Sequence, residues 1–156
     1  MRDRLSRAER SQHMARIRGK NTKPELHVRR GLHRMGIRFR LHRHGLAGRP
    51  DIVLPRYRTV IFVHGCFWHR HARCKLAYRP KSRRAFWHAK FKANVARDRR
   101  QTAELLKAGW RVIVVWECGL RQASKLQPTL RVIARKIRAT KDAYTEVPSL
   151  KSTPES

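Results

Sequence analysis

One stretch limits what this chain can fold into and do. Residues 60–74 read Val-Ile-Phe-Val-His-Gly-Cys-Phe-Trp-His-Arg-His-Ala-Arg-Cys. A run of strand-forming residues passes directly into histidines, cysteines and a Phe-Trp pair. A plain connecting loop needs none of that mixture. The order suits a hydrolytic site, a metal ligand set and an aromatic contact surface placed side by side.

Length and charge narrow the reading. The 156 residues make one domain of ordinary size, and 40% apolar residues can build a core despite 31% charged ones. Lys and Arg number 39 against 10 Asp and Glu, a formal charge of +29. Such an excess calls for a polyanion. Nucleic acid is the first expectation and an anionic membrane surface the rival. No apolar run reaches the roughly 20 residues that span a bilayer. The start, Met-Arg-Asp-Arg-Leu-Ser, has no apolar signal region. A cytoplasmic monomer without membrane association is expected. A ribosomal-type basic protein that only binds RNA is the plain alternative, and the four tryptophans with clustered His and Cys argue against it. Cys66, Cys74 and Cys118 are an odd number of cysteines, which favours metal binding or free thiols over a disulfide framework.

Along the chain, residues 6–18 form a basic helix with Ser6 and Glu9 at capping-box spacing. Residues 1–20 are therefore set apart as a phosphate-gripping arm. A second helix starts at Thr22-Lys23-Pro24-Glu25 and runs to about Met35. Capping alone accounts for Glu25 there. Residues 37–41 and 51–54 read as strands, and a turn at 55–58 leads to a strand over 59–63. So short a connection implies an antiparallel pair. A basic loop over 75–83 precedes a helix from about Arg84 to Ala108. Trp110–Trp116 is nearly continuously apolar and suits a strand covered on both faces. A last helix is expected over 127–138, with Pro128 in its first turn. The polar segment 139–156 is assigned as a disordered tail. The core, 21–138, is an α/β domain: a mixed sheet flanked by helices.

Three groups of residues carry chemistry. His71 and Cys74 are close enough for one loop to offer both to one zinc ion, and Cys118 follows the apolar strand. Asp98 lies on the inward stripe of the long helix with Val95, Thr102, Leu105 and Leu106. It is either a further ligand or the partner of Arg97, Arg99 or Arg100. Cys66 reads as a small buried hydrophobe. Asp51 begins one strand while its antiparallel neighbour ends at Val63-His64, so a carboxylate that can hold Mg²⁺ lies beside a histidine. His64 and His69 are candidates for proton transfer, and Glu25 for a second carboxylate. A strand-start role for Asp51 stays open at this point. Phe67-Trp68 and Phe86-Trp87 are either core aromatics or surfaces that stack on bases.

The same residues carry a family resemblance. Arg-Ser-Gln-His-Met (10–14), Thr22 to Glu25, Gly48-Arg-Pro-Asp51, His-Gly-Cys-Phe-Trp-His (64–69), Asn94 to Arg100 and Val115-Trp-Glu-Cys118 resemble the very short patch repair (Vsr) mismatch endonucleases. The resemblance implies a restriction-endonuclease-like core with a structural Zn²⁺. It also implies Mg²⁺-dependent nicking of one strand of duplex DNA, 5′ of the thymine in a T:G mismatch. Implied roles are Mg²⁺ ligand for Asp51, with the backbone carbonyl of Val63, and general acid/base for His69. His64 and Glu25 support them. The implied zinc set is His71, Cys74, Asp98 and Cys118, and Phe67, Trp68 and Trp87 form a wedge at the mismatch. Mismatch-repair factors are expected as further partners, at the bacterial nucleoid. Two positions depart from the pattern: residue 63 is Val where Thr is expected, and the loop from His71 to Cys74 is one residue longer. A zinc-stabilised DNA-binding module without catalysis, or a restriction endonuclease of the same fold, are the alternatives.

Overall fold

The computed structural model of the protein describes residues 21–41, 43–139 and 141–149. The arm over 1–20 and the end of the tail lie outside these residues. Five strands form one sheet in the order β1 (Arg40–Leu41), β2 (Ile52–Leu54), β3 (Thr59–His64), β4 (Arg111–Trp116), β5 (Tyr144–Val147). β1, β2 and β3 pair antiparallel, while β3, β4 and β5 run parallel. The mixed sheet flanked by helices is thus as expected.

Alternation along the strands builds two cores. On one face Ile52, Leu54, Ile61, Ile113 and Val115 pack with Val28 and Leu32 of α1 (Lys23–Arg34) and with Leu130, Ile133 and Ile137 of α4 (Ala123–Ala139). On the other, Val53, Val60, Phe62, Val112 and Val114 meet Leu105 of α3 (Arg84–Lys107). Both faces of β3 and β4 are covered, which is why these strands read as continuous apolar runs. The parallel β3–β4 pair requires a crossover. That crossover is α2 (Cys66–His69), the loop over 70–83, and α3. It carries the aromatic and metal-type residues of 66–74 past the carboxyl end of β3, where His64 ends the strand.

α1 starts as its sequence requires. Thr22 Oγ1 accepts from the Glu25 N–H at 3.4 Å, and the Glu25 carboxylate accepts from the Asn21 N–H at 3.1 Å. Two expectations need correction. The tail is not disordered through its described part: β5 pairs with β4 and places Val147, 3% exposed, in the core. Tyr144-Thr-Glu-Val is a strand-forming sequence once an edge of β4 is there to receive it. The last helix begins at Ala123, so Pro128 sits inside it rather than in its first turn. Among the described residues no helix is long and apolar enough to cross a membrane.

Candidate active site and metal centre

The antiparallel register sets the first carboxylate in place. Ile52 lies opposite Ile61, which carries Asp51 alongside the end of β3. Asp51 Oδ2 accepts the Val63 N–H at 2.7 Å. Burial pushes its carboxyl up to about 7 against that bond, and the nearby Glu25 charge pushes the same way. Glu25, 2% exposed, reaches this cleft from α1 while its carboxylate accepts from the Arg29 guanidinium at 3.1 Å. Capping and a place in the cleft are therefore compatible for Glu25.

Gly65 turns the chain out of β3 into the single turn of α2, and His69 ends that turn facing α3. The His69 Nδ1 and Asp98 Oδ2 lie 2.6 Å apart. The ring nitrogen donates to the carboxylate, so Nδ1 carries the proton and Nε2 is the other ring position. Burial pushes the Asp98 carboxyl up, but the His69 hydrogen bond and the neighbouring His69 and Arg97 side chains together outweigh it and hold the carboxyl below its ordinary value. His64 stacks on His69 with ring centroids 3.8 Å apart and planes within 5°. Burial and the adjacent His69 lower its pKa to about 3, so His64 stays neutral. Asp51, Glu25, His64, His69 and Asp98 all line one open cleft.

A second cluster lies behind α2. The ligand atoms of Cys66, His71, Cys74 and Cys118 are all within 4.8 Å of one another. His71 Nδ1 is 3.6 Å from Cys66 Sγ and 3.5 Å from Cys118 Sγ. Tetrahedral zinc, with Zn–S about 2.3 Å and Zn–N about 2.0–2.1 Å, separates N and S by about 3.5–3.6 Å. The cluster therefore fits a closed S₃N zinc site. None of the three cysteines is in a disulfide. The hydrogen bond from Cys66, with help from His71 and Cys74, lowers the Cys118 thiol to about 4 despite burial. A thiolate is already favoured there, as a metal ligand requires. The His71 ring is held by stacking on Trp116, centroids 4.3 Å apart.

Of the ligand set expected from the sequence, the structure brings His71, Cys74 and Cys118 together, with Cys66 beside them, and places Asp98 in a separate group with His64 and His69. Asp98 does face inward, as its periodicity indicates, yet the group it meets is His69. The Cys66 N–H donates to Glu117 Oε1 at 3.0 Å, which pins the start of α2 with its thiol turned to the cluster. The Cys-x₄-His-x₂-Cys spacing of 66, 71 and 74 was the available signal.

The aromatic residues form one body at the cleft rim. Phe67 packs edge-on against Trp68 and Trp87, with centroids 5.1 and 5.4 Å away, and Trp68 lies 5.9 Å from Trp87. Phe67 and Trp68 line the cleft and are half-buried. Asn94 Nδ2 donates to the Trp68 carbonyl at 3.1 Å. Arg70 ties the following loop down: its guanidinium donates to the carbonyls of Phe67, Ala77 and Tyr78 and lies 3.9 Å from the Phe91 ring centroid. Sequence reading missed Asn94, Arg70 and Glu117, since their partners are backbone groups, which no pattern of side chains marks.

Comparison with known proteins bears on this constellation. Residues 2–76 match the family model described as DNA mismatch endonuclease Vsr. The chain is 45% identical over 126 residues to the DNA mismatch endonuclease Vsr of Escherichia coli, covering 81% of this chain and 80% of that protein. The chain belongs to the Vsr family. It is also 53% identical over 133 residues to the type II nicking enzyme V.XorIIP of Xanthomonas oryzae, covering 85% of this chain and 97% of the other. Identity to V.NmeAIP, a type II nicking enzyme of Neisseria meningitidis, is 42% over 138 residues, covering 88% and 98%. Within this Vsr-family chain, Val63 offers methyl groups to the core beside α1 and α4. Its N–H donates to Asp51 Oδ2.

Proposed function

We propose that this DNA endonuclease nicks one strand of duplex DNA on the 5′ side of the thymine in a T:G mismatch, with Mg²⁺ at Asp51 and structural Zn²⁺ at Cys66, His71, Cys74 and Cys118. The observation that carries the reading is one cleft holding a carboxylate, a His–Asp pair and an aromatic rim. The relatives' printed names, nicking enzymes and a mismatch endonuclease, support cleavage of a single strand.

When bound, the divalent ion supplies charge neutralisation at the attacked phosphate and a more acidic water. The residues do the rest. Asp51, with the Val63 carbonyl, would hold the ion, and the Val63 N–H donates to that carboxylate and fixes its position. Glu25 adds negative charge beside it and orders the surrounding water. His69, oriented by Asp98, moves the proton at Nε2 as the water oxygen bonds to phosphorus and the P–O bond of the leaving strand breaks. Phe67, Trp68 and Trp87 enter beside the mismatch, where unstacking costs least. The zinc cluster fixes both ends of residues 66–74 and so aims His69 and the wedge.

Two tests address the active site. A nicking assay with Mg²⁺ over T:G duplexes in varied sequence contexts, with matched duplexes as controls, is expected to cut only the thymine-bearing strand of the mismatched duplexes. Cutting of matched duplexes at the same rate sinks the mismatch assignment. In Trp68→Ala the preference for mismatched over matched DNA should fall by roughly 5- to 150-fold, as expected for about 1–3 kcal/mol per stacked base. Equal losses on both duplexes mean that Trp68 serves only the fold.

The raised Asp51 pKa sets a pH dependence. In the metal-free protein, ionising Asp51 costs stability as pH rises from its ordinary 3.8 to about 7, and binding a cation relieves that cost. Below about 7 the ion must displace a proton. The Mg²⁺ concentration giving half-maximal nicking should therefore rise about tenfold per pH unit below that value and level off above it. A Mg²⁺ requirement that does not change with pH removes Asp51 as the ligand.

A further inference from the structure

α3 separates two concave surfaces. Arg97, Asp98 and Gln101 face the catalytic cleft on one flank. On the opposite flank lies a separate groove, bounded by α3 and the basic loop that precedes it. Its rim carries Arg79, Lys81, Arg84, Lys92 and Arg99, and no acidic residue lines it. Among the described residues none of these five has an acidic partner. Arg84 and Lys92 lie eight residues apart on one helix face with His88 between them, so positive charge repeats at about 12 Å along the helix. The floor is apolar: Pro80, Trp87, Phe91 and Val95. The groove accounts for the basic loop over 75–83, which neither the cleft nor the zinc cluster uses.

An apolar floor under a cationic rim matches a ligand with flat apolar groups and regularly spaced negative ones. Duplex DNA presents phosphates outward and hides its bases, so it would leave this floor unused. An unpaired strand offers both, with bases to the floor and phosphates to the rim. Trp87 belongs to the wedge and to this groove, so the groove begins where the wedge ends.

We propose that this groove binds single-stranded DNA and receives the strand end freed by the nick. Only the source of that strand rests on the nicking activity; the affinity itself does not. Strand capture there would hold the nick open and slow release of the product.

The test is fluorescence anisotropy without Mg²⁺, using a labelled oligothymidylate and a matched duplex of equal length on the full chain. Arg84→Glu/Lys92→Glu should weaken single-strand binding at least tenfold while duplex binding changes less than threefold. The control is Arg131→Glu/Arg135→Glu, two exposed positions on α4 with the same change in net charge. If both pairs weaken the oligothymidylate equally, the effect is overall charge and the groove assignment is wrong. Equal losses on single strand and duplex mean a duplex-binding surface instead, which also overturns it. Unchanged single-strand binding does the same and turns attention to an acidic peptide as the ligand. A failed nicking assay with intact single-strand binding would reject the catalytic reading and leave the groove standing.

Discussion

Asp51→Ala is expected to lower nicking in Mg²⁺ by about a thousandfold or more while changing DNA affinity less than about threefold. The metal's contribution to a phosphoryl transfer is worth several kcal/mol. Asp51 is the carboxylate proposed to receive the metal, since Glu25 already accepts from Arg29 and the Asn21 N–H while, among the described residues, Asp51 accepts only from the Val63 N–H. Affinity should survive, since it arises from phosphate contacts spread over a chain of charge +29. The measurements are single-turnover nicking of a T:G duplex and anisotropy on the same duplex. Unchanged nicking would sink the catalytic assignment and favour a DNA-binding module. Asp51→Asn separates charge from shape: it keeps the Val63 N–H as a partner but should lose nearly as much activity.

The second large effect concerns the thiol cluster. Cys66→Ser and Cys118→Ser should each lose stoichiometric zinc. Each should also lower the unfolding midpoint by roughly 10 °C, corresponding to about 3 kcal/mol for a domain of this size. Structural zinc binding in small domains is worth more than that, so one lost ligand of four is ample. Asp98→Asn provides the contrast. It should retain full zinc and stability, yet lose about a hundredfold or more in nicking, because the His69 ring no longer has an anionic acceptor at Nδ1. Zinc loss in Asp98→Asn with full zinc in Cys66→Ser would reverse the assignment of these two residues. Activity should also fall in the two cysteine variants, through disorder of α2 rather than through chemistry. Added Zn²⁺ should then leave their loss uncorrected, while Mg²⁺ affinity at Asp51 is preserved.

Much of the site was legible in the residue order. The short turn over 55–58 compels an antiparallel β2–β3 pair, and that pair alone carries Asp51 to Val63. Thr22 and Glu25 at capping-box spacing start α1 where the sequence places it. The apolar runs at 60–63 and 112–116 demand cover on both faces and receive it. What periodicity supplies is the face on which a side chain lies. It does not supply the group across the gap. Asp98 and Cys66 both point inward, and their partners were settled only when α2 packed on α3 and Glu117 held the Cys66 N–H. The fate of 144–147 was likewise undetermined locally. Four residues of modest strand preference become β5 only because β4, placed by the crossover, leaves an edge to pair with and a core position for Val147. Local spacing thus determined the ligand types and the elements that carry them. Tertiary packing alone decided which carboxylate serves histidine and which thiol joins the metal cluster, because those contacts join residues that no helical or strand period relates.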